Sequence, residues 1–130
     1  MDKFKNTENN LINETSWMIW SKGMKKTNIN KVTSQLNILP TMLNLLGLEY
    51  HPNYYLMEDA LNDTKKGFVF FNDYSWYDGN VYVDNGIITN GKKASEKYVN
   101  DMNNLVNKLV QINDNVLTTD YFKILKKANK

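Results

Sequence analysis

Apolar residues fall into short clusters along the chain, and their spacing changes from one cluster to the next. Ser16 to Ser21 reads SWMIWS, a compact run of aromatic and aliphatic residues that predicts a buried strand. Gly23 and the lysines around it end that run. Asn28 to Thr33 alternates polar with apolar (Ile29, Val32), which predicts a short extended segment. Leu39, Met42, Leu43 and Leu46 then recur at helical spacing. Pro40 suits only the first turn of a helix, and Gly47 suits its C-cap. These signals predict a helix over 38–46 that packs its leucine face on a core.

The second half of the chain changes period. Gly67 to Asn72 (GFVFFN) predicts a strand, Asn72 to Ser75 a turn, and Trp76-Tyr77 a further extended stretch. Asp78-Gly79, Asn85-Gly86 and Asn90-Gly91 are turn dipeptides. They bracket an alternating run, Val81 to Asp84, and a return strand, Ile87 to Thr89, and together predict an antiparallel meander. From Ala94 onward, Tyr98, Met102, Leu105, Val106, Leu109 and Ile112 form a stripe along one helix face. Ser95 marks its start, and Asn113 to Asn115 reads as a break. A last short helix is predicted over 116–125, with Thr118 or Thr119 as N-cap and Lys123, Lys126 and Lys127 toward its C-terminal end. Strand, helix, meander and long helix in that order predict an α+β fold, a small antiparallel sheet covered by helices.

No linker or internal repeat divides the 130 residues, so the chain reads as a single domain. It has a polar lead-in over 1–15 with room for one helical turn, a strand–helix–meander unit over 16–90, and C-terminal helices over 91–130. There is no apolar run long enough for a signal peptide core or a bilayer span. Direct membrane insertion is therefore not expected, and localisation stays open.

Composition removes several chemistries. Cys is 0 and His is 1, which excludes a disulfide framework, a thiolate site and a two-histidine relay. All 16 basic residues are lysines, and the formal net charge is only +2. Without arginine there is no planar fork for guanine or phosphate, so nucleic acid is not an expected partner. His51 sits in an aromatic loop with Glu49, Glu58 and Asp59 as the nearest carboxylates in sequence, and reads as a packed or surface histidine, with a metal ligand or general base as the alternative. Asp73, Asp78 and Asp84 occupy turns, where aspartate bonds its own backbone. The pairs Lys25-Lys26, Lys65-Lys66, Lys92-Lys93 and Lys126-Lys127 read as solvated charge, with a joint basic patch as the alternative. The abundant aromatics (Trp17, Trp20, Tyr54, Tyr55, Tyr74, Trp76, Tyr77) are read as core and turn packing, or else as a sugar-stacking or partner surface. No catalytic, cofactor-binding or metal-binding residue is assigned.

Four segments in order carry a family resemblance. TSQLNILPTMLNLLGLEY, from Thr33 to Tyr50, resembles the S-x-x-D-I-x-P-T-L-L-N-L-x-G-I segment of lipoteichoic acid synthase-like phosphoglycerol transferases and wider sulfatases, in the alkaline phosphatase superfamily. SWMIWSKGMKK (Ser16 to Lys26) is similar to that family's P-F-I-I-W-x-x-G-M-K strand and turn. YLMEDAL (Tyr55 to Leu61) resembles its Y-M-G-x-D-I-F, and GFVFFNDYSW (Gly67 to Trp76) its G-L-V-I-F-x-D-x-S-W. Asn37 stands where the family usually has Asp and retains capping ability; Met57 stands where it usually has Gly.

The resemblance implies a C-terminal subdomain of such an enzyme. In the family the nucleophile, and the acidic and histidine ligands of a divalent metal such as manganese, lie upstream of this stretch. The last of those ligands form an Asp-His pair shortly before the strand, and Met1 to Thr15 holds no such pair. The implied role is non-catalytic: completing a transferase or sulfatase-like fold and lining its substrate cleft at the bacterial cell envelope. The isolated chain would then be no enzyme and bind no cofactor of its own. Its implied partners are an upstream catalytic domain or a second copy. The alternative is a free-standing module that binds glycan or protein through its aromatic loops.

Overall fold

A computed structural model describes residues 14–128. Its elements are helix α1 (Ile38–Leu45), strands β1 (Val69–Phe70), β2 (Trp76–Tyr77), β3 (Val81–Asp84) and β4 (Ile87–Gly91), and helices α2 (Glu96–Thr118) and α3 (Tyr121–Ala128). The strands form one antiparallel sheet in the order β1-β2-β3-β4. Among the described residues the fold is therefore α+β, a four-stranded antiparallel meander with three helices, as the sequence pattern predicts.

Each hairpin follows from local chemistry. Asn85 (φ 48°) and Gly86 (φ 77°) form the two-residue turn that pairs Asp84 with Ile87, and both positions need the left-handed region that Asn and Gly tolerate. At Asp78-Gly79, the Asp78 carboxylate accepts from the Asn80 and Val81 N–H groups at 2.8 and 2.9 Å. Asn90-Gly91 is not a closing turn. Gly91 is still in β4, paired with Val81, and a Cβ there would lie 2.1 Å from the Asn80 carbonyl oxygen. The glycine serves close backbone approach, and a bulge at Tyr82/Val83 absorbs the extra residue.

The core lies between the sheet and α2. Trp76, directly opposite Val83, and Val81 two residues away share one sheet face and bury against Val99 and Val106 of α2. The other face is covered as well at β3. Tyr82 is buried there, its hydroxyl donating to Ser75 Oγ at 2.9 Å and its ring 6.4 Å from that of Phe71. Val81, Tyr82 and Val83 are thus all buried, where an alternating strand would have exposed its middle residue.

Helix α2 starts at Ser95, whose hydroxyl accepts from the Tyr98 N–H at 3.2 Å. It runs without a break through Asn113 to Asn115. Side-chain amides facing water do not interrupt a helix whose apolar stripe continues. Thr118 and Thr119 end this helix rather than starting the next. Their hydroxyls donate back to the Asp114 and Asn115 carbonyls at 2.7 and 2.6 Å. Helix α3 therefore begins at Tyr121, with Lys126 and Lys127 in its last turn.

Two other expectations need correction. Ser16 to Ser21 forms no strand: it pairs with no neighbour among the described residues, and Met18 and Trp20 are 87% and 83% exposed. A β-rich sequence becomes a strand only when a partner supplies the ladder. Helix α1 forms where expected, and Gly47 (φ 65°) ends it, with the Leu48 N–H bonded to Leu43 O at 2.9 Å. Its leucine face is not the buried one, however. Leu39 and Leu46 are 55% and 64% exposed, Met42 and Leu43 half-buried, and the inward side is Asn37, Pro40 and Thr41. Thr41 explains this orientation. Its hydroxyl donates to Asn37 O at 2.6 Å and accepts the Ala60 N–H at 2.8 Å, so α1 docks on the 57–60 segment through polar groups. The extended segment around Val32 runs past Gly67, where a Cβ would meet Val32 O at 1.9 Å. The expected turn in the lead-in lies outside the described residues over 1–13.

Candidate functional site

A cavity of about 740 Å³ lies where α1, the aromatic loop from Tyr50 to Asp59 and the two C-terminal helices meet. That volume is within the range of small-molecule sites. The loop enters it through a short 3-10 turn, Pro52–Tyr54, with Pro52 supplying the fixed φ of its first position. Helix α3 holds the loop from the far side: the Tyr121 hydroxyl donates to Asn53 O at 3.3 Å, and the Phe122 ring packs edge-on against Tyr54 at 5.7 Å. Leu109 and Ile112 of α2 and Leu125 of α3 give the apolar floor.

The polar wall comes from the 57–65 segment. Asp59 is buried. One oxygen accepts the Leu61 N–H at 2.9 Å and the other the Asn44 side-chain N–H at 2.5 Å. Glu58 is exposed at the mouth and forms an ion pair with Lys65. The rings of Tyr50 and Tyr55 stand 5.5 Å apart at 80° and make a corner. Partial burial, and after it the carboxylates of Asp59 and Glu58, push the Tyr50 phenol above its usual pKa. It is therefore a neutral hydroxyl at physiological pH.

Asn37 fixes the approach of this wall. Its side-chain oxygen accepts the Ser34 N–H at 2.7 Å, and its amide donates to Glu58 O at 2.7 Å. The expected cap is thus made for the 3-10 turn Gln35–Asn37, while α1 itself has no side-chain cap bond. An aspartate here could not make the donation to Glu58. Met57 is buried with ordinary backbone, since Tyr74 and Asn85 are the described non-glycine residues with positive φ.

The residues singled out in the sequence are dispersed. His51 is exposed and stacks on Tyr54 with ring centroids 5.3 Å apart. Asp73 accepts from the Ser75 N–H and hydroxyl at 3.0 and 2.5 Å, a turn role. Asp78 accepts from its own loop and from the Tyr98 hydroxyl at 2.7 Å. Asp84 lies at the β3–β4 hairpin. Lys65 engages Glu58, and the other paired lysines are exposed. Trp76 is core, while Trp17, Trp20 and Tyr74 are exposed. Among the described residues no three His, Cys, Asp or Glu side chains gather where they could hold a metal. No described helix is long and apolar enough to cross a membrane.

The cavity itself is not legible in the sequence. The Tyr50-Tyr55 cluster reads as an aromatic loop, but nothing in it indicates that α3 lines the same cavity. No family model, curated protein or solved structure matches the chain.

Proposed function

We propose that this chain is a non-catalytic C-terminal subdomain of a lipoteichoic acid synthase-like phosphoglycerol transferase or related sulfatase-like enzyme of the alkaline phosphatase superfamily. Its role is to complete the fold of a separate, metal-bearing α/β domain and to line part of that domain's substrate cleft. The observation that carries this reading is the segment Ser16 to Ser21. It holds two tryptophans, with Trp20 83% exposed, and pairs with no strand among the described residues. In the resembled family the equivalent segment is a strand of the large central sheet. An apolar sequence with strand propensity and no ladder is what a subdomain presents when the neighbouring strands belong to another domain. The outward leucines of α1 support the same reading, because a free surface helix would carry polar residues there.

The test is the coding sequence upstream of this chain and its product. The reading expects a frame that encodes a threonine nucleophile and an Asp-His pair. Its product should bind this chain on co-expression, with Trp20 shielded from quencher, and the complex should turn over a glycerophosphate ester with manganese while this chain alone does not. Manganese-dependent turnover by this chain alone, lost in His51→Ala, would overturn the non-catalytic role.

The second reading, a binding module, is favoured by the aromatic cavity alone. It moves ahead if no upstream partner exists and the chain is strictly monomeric with shielded tryptophans.

A further inference from the structure

We propose that the cavity beneath the aromatic loop binds the ammonium head of a small organic cation, with Tyr50 and Tyr55 as its walls and the Asp59 and Glu58 carboxylates as its counter-charge. The inference rests on the cavity and holds whether the chain works as a subdomain or as a separate module.

Three features select a cation over a neutral or anionic ligand. The first is the aromatic corner. Ring faces attract cations through their quadrupole, and Tyr50 and Tyr55, packed edge to face, both line the cavity. Tyr121 adds a third aromatic lining residue from α3. The second is the sign of the charge. Asp59 is buried against the cavity, and both its oxygens are held by neutral donors, the Leu61 backbone N–H and the Asn44 amide. Among the described residues no cation pairs with it, so its negative charge is oriented there, and a buried carboxylate repels anions. The third is Lys65, the one cation on the lining among the described residues. Its ammonium reaches Glu58 at the mouth, so the site already attracts an amine of this chain. The volume, about 740 Å³, exceeds what one ammonium head fills, so the head enters as part of a larger molecule such as a choline ester or an amino sugar.

The experiment compares choline with its uncharged isostere, 3,3-dimethylbutan-1-ol, on the full chain at low salt, following backbone amide shifts by NMR. Choline is expected to shift residues 55–61 saturably, at least about tenfold more tightly than the alcohol. Glu58→Gln, at an exposed position, should weaken choline binding several-fold. Lys65→Gln removes the internal competitor and should strengthen it. Equal response to choline and the alcohol would overturn the proposal and leave an apolar pocket. So would the absence of any saturable response to choline in the millimolar range. These outcomes do not depend on an upstream partner, so the site and the subdomain role fail separately.

Discussion

The indole N–H of Trp76 donates to the side-chain oxygen of Asn103 at 2.8 Å, which ties the most buried aromatic of the sheet to the long helix that covers it. The same asparagine donates to Gly86 O at 3.4 Å and so also meets the β3–β4 turn. One polar side chain on α2 therefore fixes the register between helix and sheet, while Val99 and Val106 supply the apolar contact.

Asn103→Ala is expected to destabilise the chain by about 1–3 kcal/mol, because it leaves the indole donor without its partner. Trp76→Ala should cost about 3–5 kcal/mol through the cavity it opens. Chemical denaturation measures both. A loss below about 0.5 kcal/mol for Asn103→Ala would place this bond in free exchange with water.

The polar docking of α1 reverses the usual ranking of its side chains. Leu46→Ala should change the stability of the isolated chain by less than about 0.5 kcal/mol, since the side chain is already mostly in water. Thr41→Val keeps the shape but leaves the buried Ala60 N–H without an acceptor, and should cost about 1–3 kcal/mol. If instead Leu46→Ala costs several times more than Thr41→Val, the helix is rotated relative to this structure.

Asn37→Asp tests the departure from the resembled family. The carboxylate can still accept from Ser34 but would face the Glu58 carbonyl without a proton to offer. A loss of about 1–3 kcal/mol at neutral pH is expected, partly recovered as the pH falls and the new carboxyl becomes protonated. A stability unchanged across that range would mean that Glu58 O does not use this donor.

Asp78 and Tyr98 share a hydrogen bond and should be seen at opposite ends of a pH titration. Burial alone would raise the Asp78 pKa, but hydrogen bonds from Val81, Tyr98 and Asn80 outweigh it, and the net direction is down. Its contribution to stability is therefore present above the unfolded carboxylate value and lost as the pH falls through the lower folded value. Burial, followed by the bond to Asp78 and its charge, pushes Tyr98 up to about 12. That contribution is present below the ordinary tyrosine range and lost as the pH rises through about 12. Ultraviolet titration should show a tyrosine titrating at about 12 that disappears in Tyr98→Phe and shifts toward the bulk in Asp78→Asn. Tyrosine titration unaltered by either change would rule out the coupling.

Exposed Trp20 and Met18 predict concentration-dependent self-association of the chain when it is isolated, reduced in Trp20→Lys. Sedimentation velocity over a concentration series reads this directly, and a wild type that stays monomeric throughout would contradict it.

What the sequence determined by itself is local. The Asn85-Gly86 turn, the Ser95 cap and the Gly47 helix end depend on φ preferences and on hydrogen bonds spanning a few residues, and these are written in the residue types present. The α+β class follows from the change of hydrophobic period near Ala94. The tertiary structure decided everything that needs a distant partner. Apolar spacing marked the leucine face of α1, but Ala60, far along the chain, holds Thr41 inward through a hydrogen bond. Ser16 to Ser21 has strand-forming residues, and no ladder meets it among the described residues. Tyr121 and Asn53, both on the cavity lining, meet across a sequence separation of 68. Periodicity reports which face of an element is apolar; which neighbour arrives to cover it is settled only when remote segments compete for the same surface.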